Sequence, residues 1–245
     1  MDILTGDHYC LWCEGRYFND FNWRYLLGMS TNDGICSECR ESLLSISGEI
    51  CRICGRMLNN LSKEFRKGEL CLDCIRWEDE PGWAGVLVKN RSVYQYNDFL
   101  KGILSRIKFR GDAVMVSPFM SPLKTLFKLE FPNDVIVVPI PLSSERLYER
   151  GFNQAKVLAE LLDVQLKEIL IRDSHEGKQS KKNRRERLAV INQSLFKCID
   201  NVDLEEKNVL LVDDIYTTGV TIRNAAKELL NKGANKAYSL TVARG

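Results

Sequence analysis

The chain changes its pattern of apolar and polar positions near residue 80. From there onward, short apolar runs alternate with segments in which apolar residues recur every three or four positions. The runs predict buried strands, and the longer spacing predicts helices with one buried face. The predicted strands are residues 90–98, 133–138, 208–214 and 236–245, and the predicted helices are residues 99–109, 150–163 and 219–233. This alternation indicates an α/β fold with a mostly parallel sheet flanked by helices.

Two prolines end the second predicted strand. Proline has no N–H to donate inside a central strand, so Pro139 and Pro141 are predicted to begin a rigid loop. Ser143, Ser144 and Arg146 follow and offer hydroxyl, amide and guanidinium donors.

Two other polar residues are assigned to helix ends. Asn153 is predicted to cap the second predicted helix at its N-terminus. Lys108 is interpreted as a cation near the C-terminal end of the first, where the helix dipole favours positive charge.

The first 80 residues contain eight of the nine cysteines, arranged as four Cys-x-x-Cys pairs. Successive pairs are separated by 22, 11 and 16 residues. The last gap lies within the range of about 15–20 residues that zinc sites use, and the first implies a longer loop. The pattern predicts two structural zinc ions, each held by four thiolates. The predicted ligands are Cys10, Cys13, Cys36, Cys39, Cys51, Cys54, Cys71 and Cys74. Sequential pairing is the simplest arrangement, and a cross-braced one stays open.

Metal is favoured over disulfides because the chain is expected to be cytoplasmic, where thiols stay reduced. Its start lacks the charged and apolar regions of a signal peptide. No apolar run approaches the length of about 20 residues that spans a membrane, so no membrane insertion is expected. A segment of this size buries too little apolar surface to fold unaided, whereas a structural zinc supplies about 10–16 kcal/mol.

Charge and composition divide the chain into a predicted zinc-binding module, residues 1–80, and a second domain, residues 81–245. The first part carries a net charge of −5 and the second +7. An acidic run and a Pro-Gly pair at residues 76–85 mark the join. The acidic balance of the first part argues against a generic phosphate-binding role for it. Residues 178–187 carry six Lys and Arg against one Glu, which by composition alone indicates a solvated basic face or loop.

The segment 209–221 contains the chemistry that points to a ligand. A buried strand runs into Asp213 and Asp214, and a short loop rich in threonine leads to a helix. Ligands of open parallel sheets bind beyond the carboxyl ends of the strands, and amides at a helix start bind anions. Gly219 allows close approach of the backbone. The carboxylates would instead accept hydrogen bonds from vicinal hydroxyls, so the segment fits a ribose 5-phosphate.

This segment resembles the phosphoribosyl pyrophosphate (PRPP) signature of type I phosphoribosyltransferases. Together with the Cys-x-x-Cys pairs, residues 138–155 and residues 178–188, it resembles the ComF-type competence proteins of naturally transformable bacteria, in their form with a doubled zinc module. The resemblance covers nearly the whole chain. It implies a type I phosphoribosyltransferase-like domain that binds PRPP together with Mg²⁺.

The resemblance also implies roles for individual residues. Asp213 and Asp214 would bind the ribose hydroxyls, and residues 216–221, here called the phosphate loop, would surround the 5-phosphate. Residues 139–144, here called the proline loop, would bind pyrophosphate and often contain an unusual peptide bond. The basic stretch 178–187 would act as a hood. The implied PRPP-binding residues are Asp213, Asp214, Tyr216, Thr217, Thr218, Gly219, Val220, Thr221, Ile140, Pro141, Leu142, Ser143, Ser144 and Arg146, and the implied catalytic residues are Asp213, Asp214, Lys181 and Lys182.

Three functions are consistent with these features. The first is a Mg²⁺-dependent phosphoribosyltransferase, although Thr217 occupies the position where purine-salvage relatives often carry an acid, and no residue that activates an acceptor is evident. The second is the uptake and handling of incoming single-stranded DNA in transformation, with a competence helicase or other DNA-uptake protein as partner. The third is an inactive PRPP sensor or scaffold that docks such a helicase through the zinc module.

Overall fold

The structure is a computed structural model that describes residues 8–17, 33–59, 61–110, 113–172 and 195–245. Its centre is a four-stranded parallel sheet of order β5-β10-β9-β6. The strands of this sheet are β5 (Lys89–Gln95), β6 (Val135–Pro139), β9 (Asn208–Tyr216) and β10 (Lys236–Arg244). All four strands predicted from sequence are present and parallel, so the predicted fold class is confirmed.

Helices cover both faces of this sheet. They are α1 (Ser37–Glu41), α2 (Leu72–Asp79), α3 (Asp98–Arg110), α4 (Met120–Glu130), α5 (Ser144–Arg150), α6 (Gln154–Glu160) and α7 (Val220–Asn231). The three helices predicted from sequence correspond to α3, α6 and α7. Asn153 caps α6 as predicted, because its side chain accepts a hydrogen bond from the Ala155 amide.

Several elements were not predicted. A 3-10 segment (Ala113–Phe119) leads into α4, where interspersed prolines obscure the helical spacing. Helix α5 follows the proline loop directly, and the Ser143 side chain caps it by accepting a hydrogen bond from the Arg146 amide. Three pairs of short strands escaped prediction because strands of two or three residues carry too little periodicity. They are β1 (His8–Tyr9) with β2 (Arg16–Tyr17), β3 (Arg66–Lys67) with β4 (Leu70–Cys71), and β7 (Leu170–Arg172) with β8 (Phe196–Cys198), all antiparallel.

The two faces of the sheet bury separate clusters because side chains of a strand alternate between faces. On one face, Val209 and Leu211 of β9 pack with α7 and with the last two Cys-x-x-Cys pairs. On the other, Leu210 and Val212 pack with α3, α4, α6 and the first two pairs. The cysteine-rich part thus shares both clusters with the rest of the chain, and the division between residues 80 and 81 stays a prediction.

At the carboxyl edge of the sheet, the end of β9 has a neighbouring strand on one side only. Strand β6 ends at Pro139, which pairs with Val212 of β9. Strand β9 continues for four more residues beyond this point, paired only with β10. The proline loop and the two aspartates therefore begin at the same edge of the sheet. In the described part of the chain, no helix combines the length and apolar character needed to cross a membrane.

Candidate functional site

The phosphate loop joins the end of β9 to the start of α7. Gly219 is the N-cap of α7 with φ 84°, in the left-handed region, and no side chain caps this helix. The first amides of a helix have no partner within the helix, so those of α7 are oriented to receive an anion. A Cβ atom at Gly219 would lie 2.3 Å from the Tyr216 hydroxyl, so the position requires glycine for both conformation and space.

The paired aspartates follow Val212, the last residue of β9 that pairs with β6. The Asp214 amide donates to the Asp213 carboxylate over 2.8 Å. Burial, followed by the nearby Asp214 carboxylate, raises the pKa of Asp213 to about 8. A buried carboxylate is stabilised by hydrogen-bond donors or cations that replace its lost hydration. The pair is therefore suited to ribose hydroxyls or to a hard divalent ion.

Two cations that the sequence analysis did not place at the site lie beside the aspartates. The Lys108 ammonium forms a short ion pair with Asp214, so its earlier interpretation as a helix-end cation missed its main contact. The Arg150 guanidinium is close enough to Asp213 and Asp214 to feel their charge, while burial and the neighbouring Arg146 lower its pKa. Arg150 also donates to the Gln154 side chain over 2.9 Å.

The proline loop is fixed by backbone contacts at its start. The Ile140 amide donates to the Val212 carbonyl over 3.0 Å, and the Asn153 side chain donates to the Ile140 carbonyl over 3.0 Å. Ser143 is occupied as the cap of α5. The peptide bonds of this loop are all trans, so the unusual peptide bond that the resemblance often implies does not take the form of a cis bond here.

Two sets of four cysteines could hold metal ions, and the pairs combine sequentially. The first cysteine group is Cys10, Cys13, Cys36 and Cys39, and the second cysteine group is Cys51, Cys54, Cys71 and Cys74. Within each group the sulfur atoms lie within 4.8 Å of one another. The sulfur–sulfur distances are 3.7 Å for Cys10–Cys39 and 3.5 Å for Cys54–Cys71.

These separations suit zinc better than disulfides. A tetrahedral zinc ion with Zn–S bonds of about 2.3 Å requires sulfur atoms about 3.8 Å apart, whereas a disulfide requires about 2.05 Å. In the second cysteine group, hydrogen bonding to Cys51 lowers the pKa of Cys54 and raises that of Cys74. Four buried thiols that share protons in this way become four thiolates when a divalent cation replaces the protons.

Lys181 and Lys182, with the whole basic stretch 178–187, lie outside the described residues, and their predicted roles stay predictions. Trp77 and Arg244 are further residues that sequence reasoning missed. Trp77 donates to the Thr218 carbonyl of the phosphate loop, and Arg244 donates to the Tyr216 and Thr217 carbonyls. They are single residues distant in sequence, so no local pattern could reveal these contacts.

Comparison with known proteins identifies the family. Residues 132–245 match the family model described as phosphoribosyl transferase domain. The chain is 42% identical to competence protein ComFC of Bacillus subtilis (strain 168), over 96% of this chain and 94% of that protein. It is 34% identical to competence protein ComFC of Streptococcus pneumoniae, over 96% and 99%, and 26% identical to competence protein F of Haemophilus influenzae, over 92% and 99%. The chain therefore belongs to the ComFC-type family of competence proteins, with a phosphoribosyl transferase domain in its second half.

Proposed function

We propose that the chain binds PRPP with Mg²⁺ at the open edge of its sheet and acts in the handling of incoming single-stranded DNA. The observation that carries the proposal is the juxtaposition at this edge of the uncapped start of α7 with the Asp213–Asp214 pair. The amides are suited to a phosphate and the carboxylates to a vicinal diol. The two requirements together describe a phosphorylated ribose.

The surrounding residues supply the remaining chemistry of a PRPP site. Arg146, on α5, extends from the proline loop and can neutralise a diphosphate, as Arg150 can beside it. Mg²⁺, when bound, would share the negative charge of the diphosphate and leave the protein to hold the ribose and exclude water. Lys108 fixes Asp214 through an ion pair, so it holds one diol acceptor in place.

Isothermal titration calorimetry tests PRPP binding directly. We expect binding of PRPP that strengthens with Mg²⁺, and weaker binding of ribose 5-phosphate and of pyrophosphate, since each contacts only one part of the site. The Asp214→Asn variant removes an ionised acceptor and should weaken PRPP binding by about 10- to 100-fold. Asp134→Asn, at an exposed carboxylate before β6, is the matched control. No heat from PRPP with a folded, zinc-loaded protein would refute the proposal.

Whether the bound PRPP is also consumed is a second experiment. Incubation of labelled PRPP and Mg²⁺ with an extract supplies every acceptor of the cell. A labelled product other than ribose 5-phosphate supports a transferase, in which Asp213 and Asp214 act on the reacting sugar. Binding without any product supports a sensor.

A groove near the second cysteine group supports direct contact with single-stranded DNA. Its volume is about 760 Å³, and four of its lining residues are cationic while two are acidic. The cations are Arg52, Lys63, Arg66 and Arg91. Phe65 lies between the groove residues Lys63 and Arg66 in the sequence and is 52% exposed, and an exposed aromatic ring near cations suits stacking of an unpaired base. The lining carries two more cations than acids, and within it Arg66 and Arg91 already form ion pairs with Glu49 and Glu130 over 2.9 and 3.1 Å.

Anisotropy of a labelled oligothymidine across a range of salt concentrations tests this surface. The double variant Lys63→Gln with Arg52→Gln should weaken binding and reduce the salt slope by about 0.7 for each lost phosphate contact. Lys128→Gln with Lys236→Gln changes the charge equally at exposed positions outside the groove and should leave the slope unchanged. Equal slopes for both double variants would contradict a role for the groove. A competence helicase or other DNA-uptake protein is the proposed protein partner.

A further inference from the structure

The second cysteine group lies directly behind the phosphate loop. Helix α2 begins immediately after Cys71 and contains both Cys74 and Trp77. The Trp77 side chain is 3% exposed, and its indole N–H donates to the Thr218 carbonyl over 2.9 Å. A residue three positions after a predicted metal ligand therefore holds the backbone of the phosphate loop.

Arg244, in the last strand, forms a second connection. Its Nε donates to the Cys54 carbonyl over 3.0 Å, and its Nη2 donates to the Cys54 sulfur over 3.1 Å. Its Nη1 donates to the carbonyls of Tyr216 and Thr217 over 3.1 and 3.0 Å. The guanidinium also lies over the Tyr216 ring, 4.9 Å from its centroid. One buried cation thus binds a cysteine of the metal group and two residues of the phosphate loop.

Arg223 connects the start of α7 to the same helix α2. It is completely buried, and its Nη1 donates to the Glu78 carboxylate over 3.2 Å. Its guanidinium lies 5.1 Å from the centre of the Trp77 ring. Its backbone amide donates to the Gly219 carbonyl over 2.8 Å. The contact network therefore continues from α2 through the loop into the first turn of α7.

These contacts share one electrostatic consequence. The carbonyls of three successive residues, Tyr216, Thr217 and Thr218, all accept hydrogen bonds from Arg244 or Trp77. Carbonyl dipoles directed at a phosphate would repel it, whereas these three are directed at donors beside the second cysteine group. A loop held in this way does not have to order itself when an anion binds, and preorganisation of this kind raises affinity.

We propose that Trp77 and Arg244 are positioning residues that fasten the phosphate loop to the second cysteine group, so that a metal ion in this group and a ligand at the loop stabilise each other. The inference rests on the proposed PRPP site. The ion would order Cys54 and α2, and these would order the loop. Coupling between two binding sites is reciprocal. PRPP must therefore raise the affinity for the metal by the same factor by which the metal raises the affinity for PRPP.

Competition with a chelator of known affinity measures this coupling. The zinc-loaded full chain is titrated with the chelator with and without saturating PRPP and Mg²⁺, with excess Mg²⁺ in both samples. We expect PRPP to raise the affinity of one of two zinc ions by a factor of about 5–150, the usual range for coupled sites. Hydrogen exchange of peptides around Cys74 and around Cys39 identifies which group has lost its ion. Loss from the second group should also increase exchange of the phosphate-loop amides in the absence of PRPP.

Two pairs of variants separate positioning from general packing. Trp77→Phe removes the indole N–H and should weaken PRPP binding by about three- to tenfold. Trp12→Phe is its control, since Trp12 is equally buried beside the first cysteine group and donates to the Met115 carbonyl over 3.0 Å, away from the loop. Arg244→Lys should weaken both PRPP and the second metal. Arg106→Lys is its control, because the Arg106 guanidinium donates to the Trp12 carbonyl within the first Cys-x-x-Cys pair, away from the loop.

The outcomes distinguish this inference from the proposed function. If the wild type binds no PRPP, the proposed function fails and the mutual stabilisation fails with it. If PRPP binds but changes the affinity of neither zinc ion, or only that of the ion in the first group, the PRPP site stands and the coupling is overturned. Equal effects of Trp77→Phe and Trp12→Phe on PRPP affinity would likewise reduce Trp77 to a packing residue.

Discussion

The two cysteine groups have the same ligands but different surroundings. In the first group Cys13 is exposed, and the group packs against helices on one face of the sheet through Trp12 and an Arg106–Glu14 ion pair of 2.6 Å. In the second group every cysteine is at most 1% exposed, and the neighbouring residues reach the phosphate loop. Identical motifs therefore have different neighbours, since one group packs against a helical face while residues around the other contact the phosphate loop.

Removing one thiolate from either group, in two separate variants, should produce the largest difference between the groups. Cys74→Ser leaves a buried site short of a ligand and should lower the free energy of unfolding by at least about 4 kcal/mol. It should also abolish PRPP binding. Cys13→Ser, at an exposed ligand, should cost less and leave the PRPP affinity within about twofold of wild type. Urea unfolding measures the free energy of unfolding, calorimetry measures the PRPP affinity, and zinc analysis measures the metal content of each variant. Equal losses of PRPP affinity in the two variants would contradict the difference between the groups.

Gly219→Ala tests how tightly the loop packs next to the second group. The left-handed backbone alone costs about 1–2 kcal/mol for a residue with a side chain. The contact of 2.3 Å with the Tyr216 hydroxyl should add about 1–3 kcal/mol. Gly85→Ala is the control, because Gly85 has φ 71° and open space around its Cβ position. Thermal unfolding measures both, and equal destabilisation would show that the loop has room to adjust.

The pH dependence of stability isolates the aspartate pair from both cysteine groups. The folded pKa of Asp213 is about 8, above the value of about 4 for an exposed aspartate. The folded state therefore binds the proton more tightly, and its contribution to the free energy of unfolding is lost as pH rises from about 4 to about 8. Asp213→Asn should flatten this part of the profile in urea unfolding at several pH values. A slope that persists in Asp213→Asn but disappears in Asp134→Asn would contradict the assignment.

PRPP binding should show the opposite pH trend. Acceptance of hydroxyl donors or Mg²⁺ requires the Asp213 carboxylate, so binding at neutral pH should release a proton. Calorimetry in buffers with different heats of ionisation counts the protons released. Affinity should increase between about pH 6 and the folded pKa of Asp213, and proton uptake instead of release would contradict the proposed contact.

The rate of metal loss should give the smallest contrast. With excess chelator and no PRPP, the first cysteine group should release its ion before the second. The reason is that Cys13 is accessible to solvent, whereas all four cysteines of the second group are buried. Absorbance of a zinc indicator should therefore follow two phases of equal amplitude. Cys13→Ser should remove or accelerate the fast phase alone. A single phase would indicate that exposure of one ligand does not control release.

The features found from sequence are those with a local signal. The run Val209–Val212 was recognisable because a buried parallel strand is apolar on both faces. The Cys-x-x-Cys pairs and Gly219 have equally local causes. Trp77, by contrast, gave no signal beyond that of an aromatic residue, since its partner Thr218 is 141 positions away. Lys108 followed a helical pattern that fitted a simpler role, and only the packing of α3 against β9 brings it to Asp214.

The contact between Cys54 and Arg244 joins residues 190 positions apart. During synthesis, the cysteine-rich part leaves the ribosome long before β10 exists, so its two cysteine groups can assemble before the phosphate loop is complete. Contacts of such long sequence separation form slowly because a large loop must close first. We therefore expect the open edge of the sheet to be completed late in folding. Nascent chains stalled before β10 should be folded around their cysteines yet unable to retain a phosphorylated sugar.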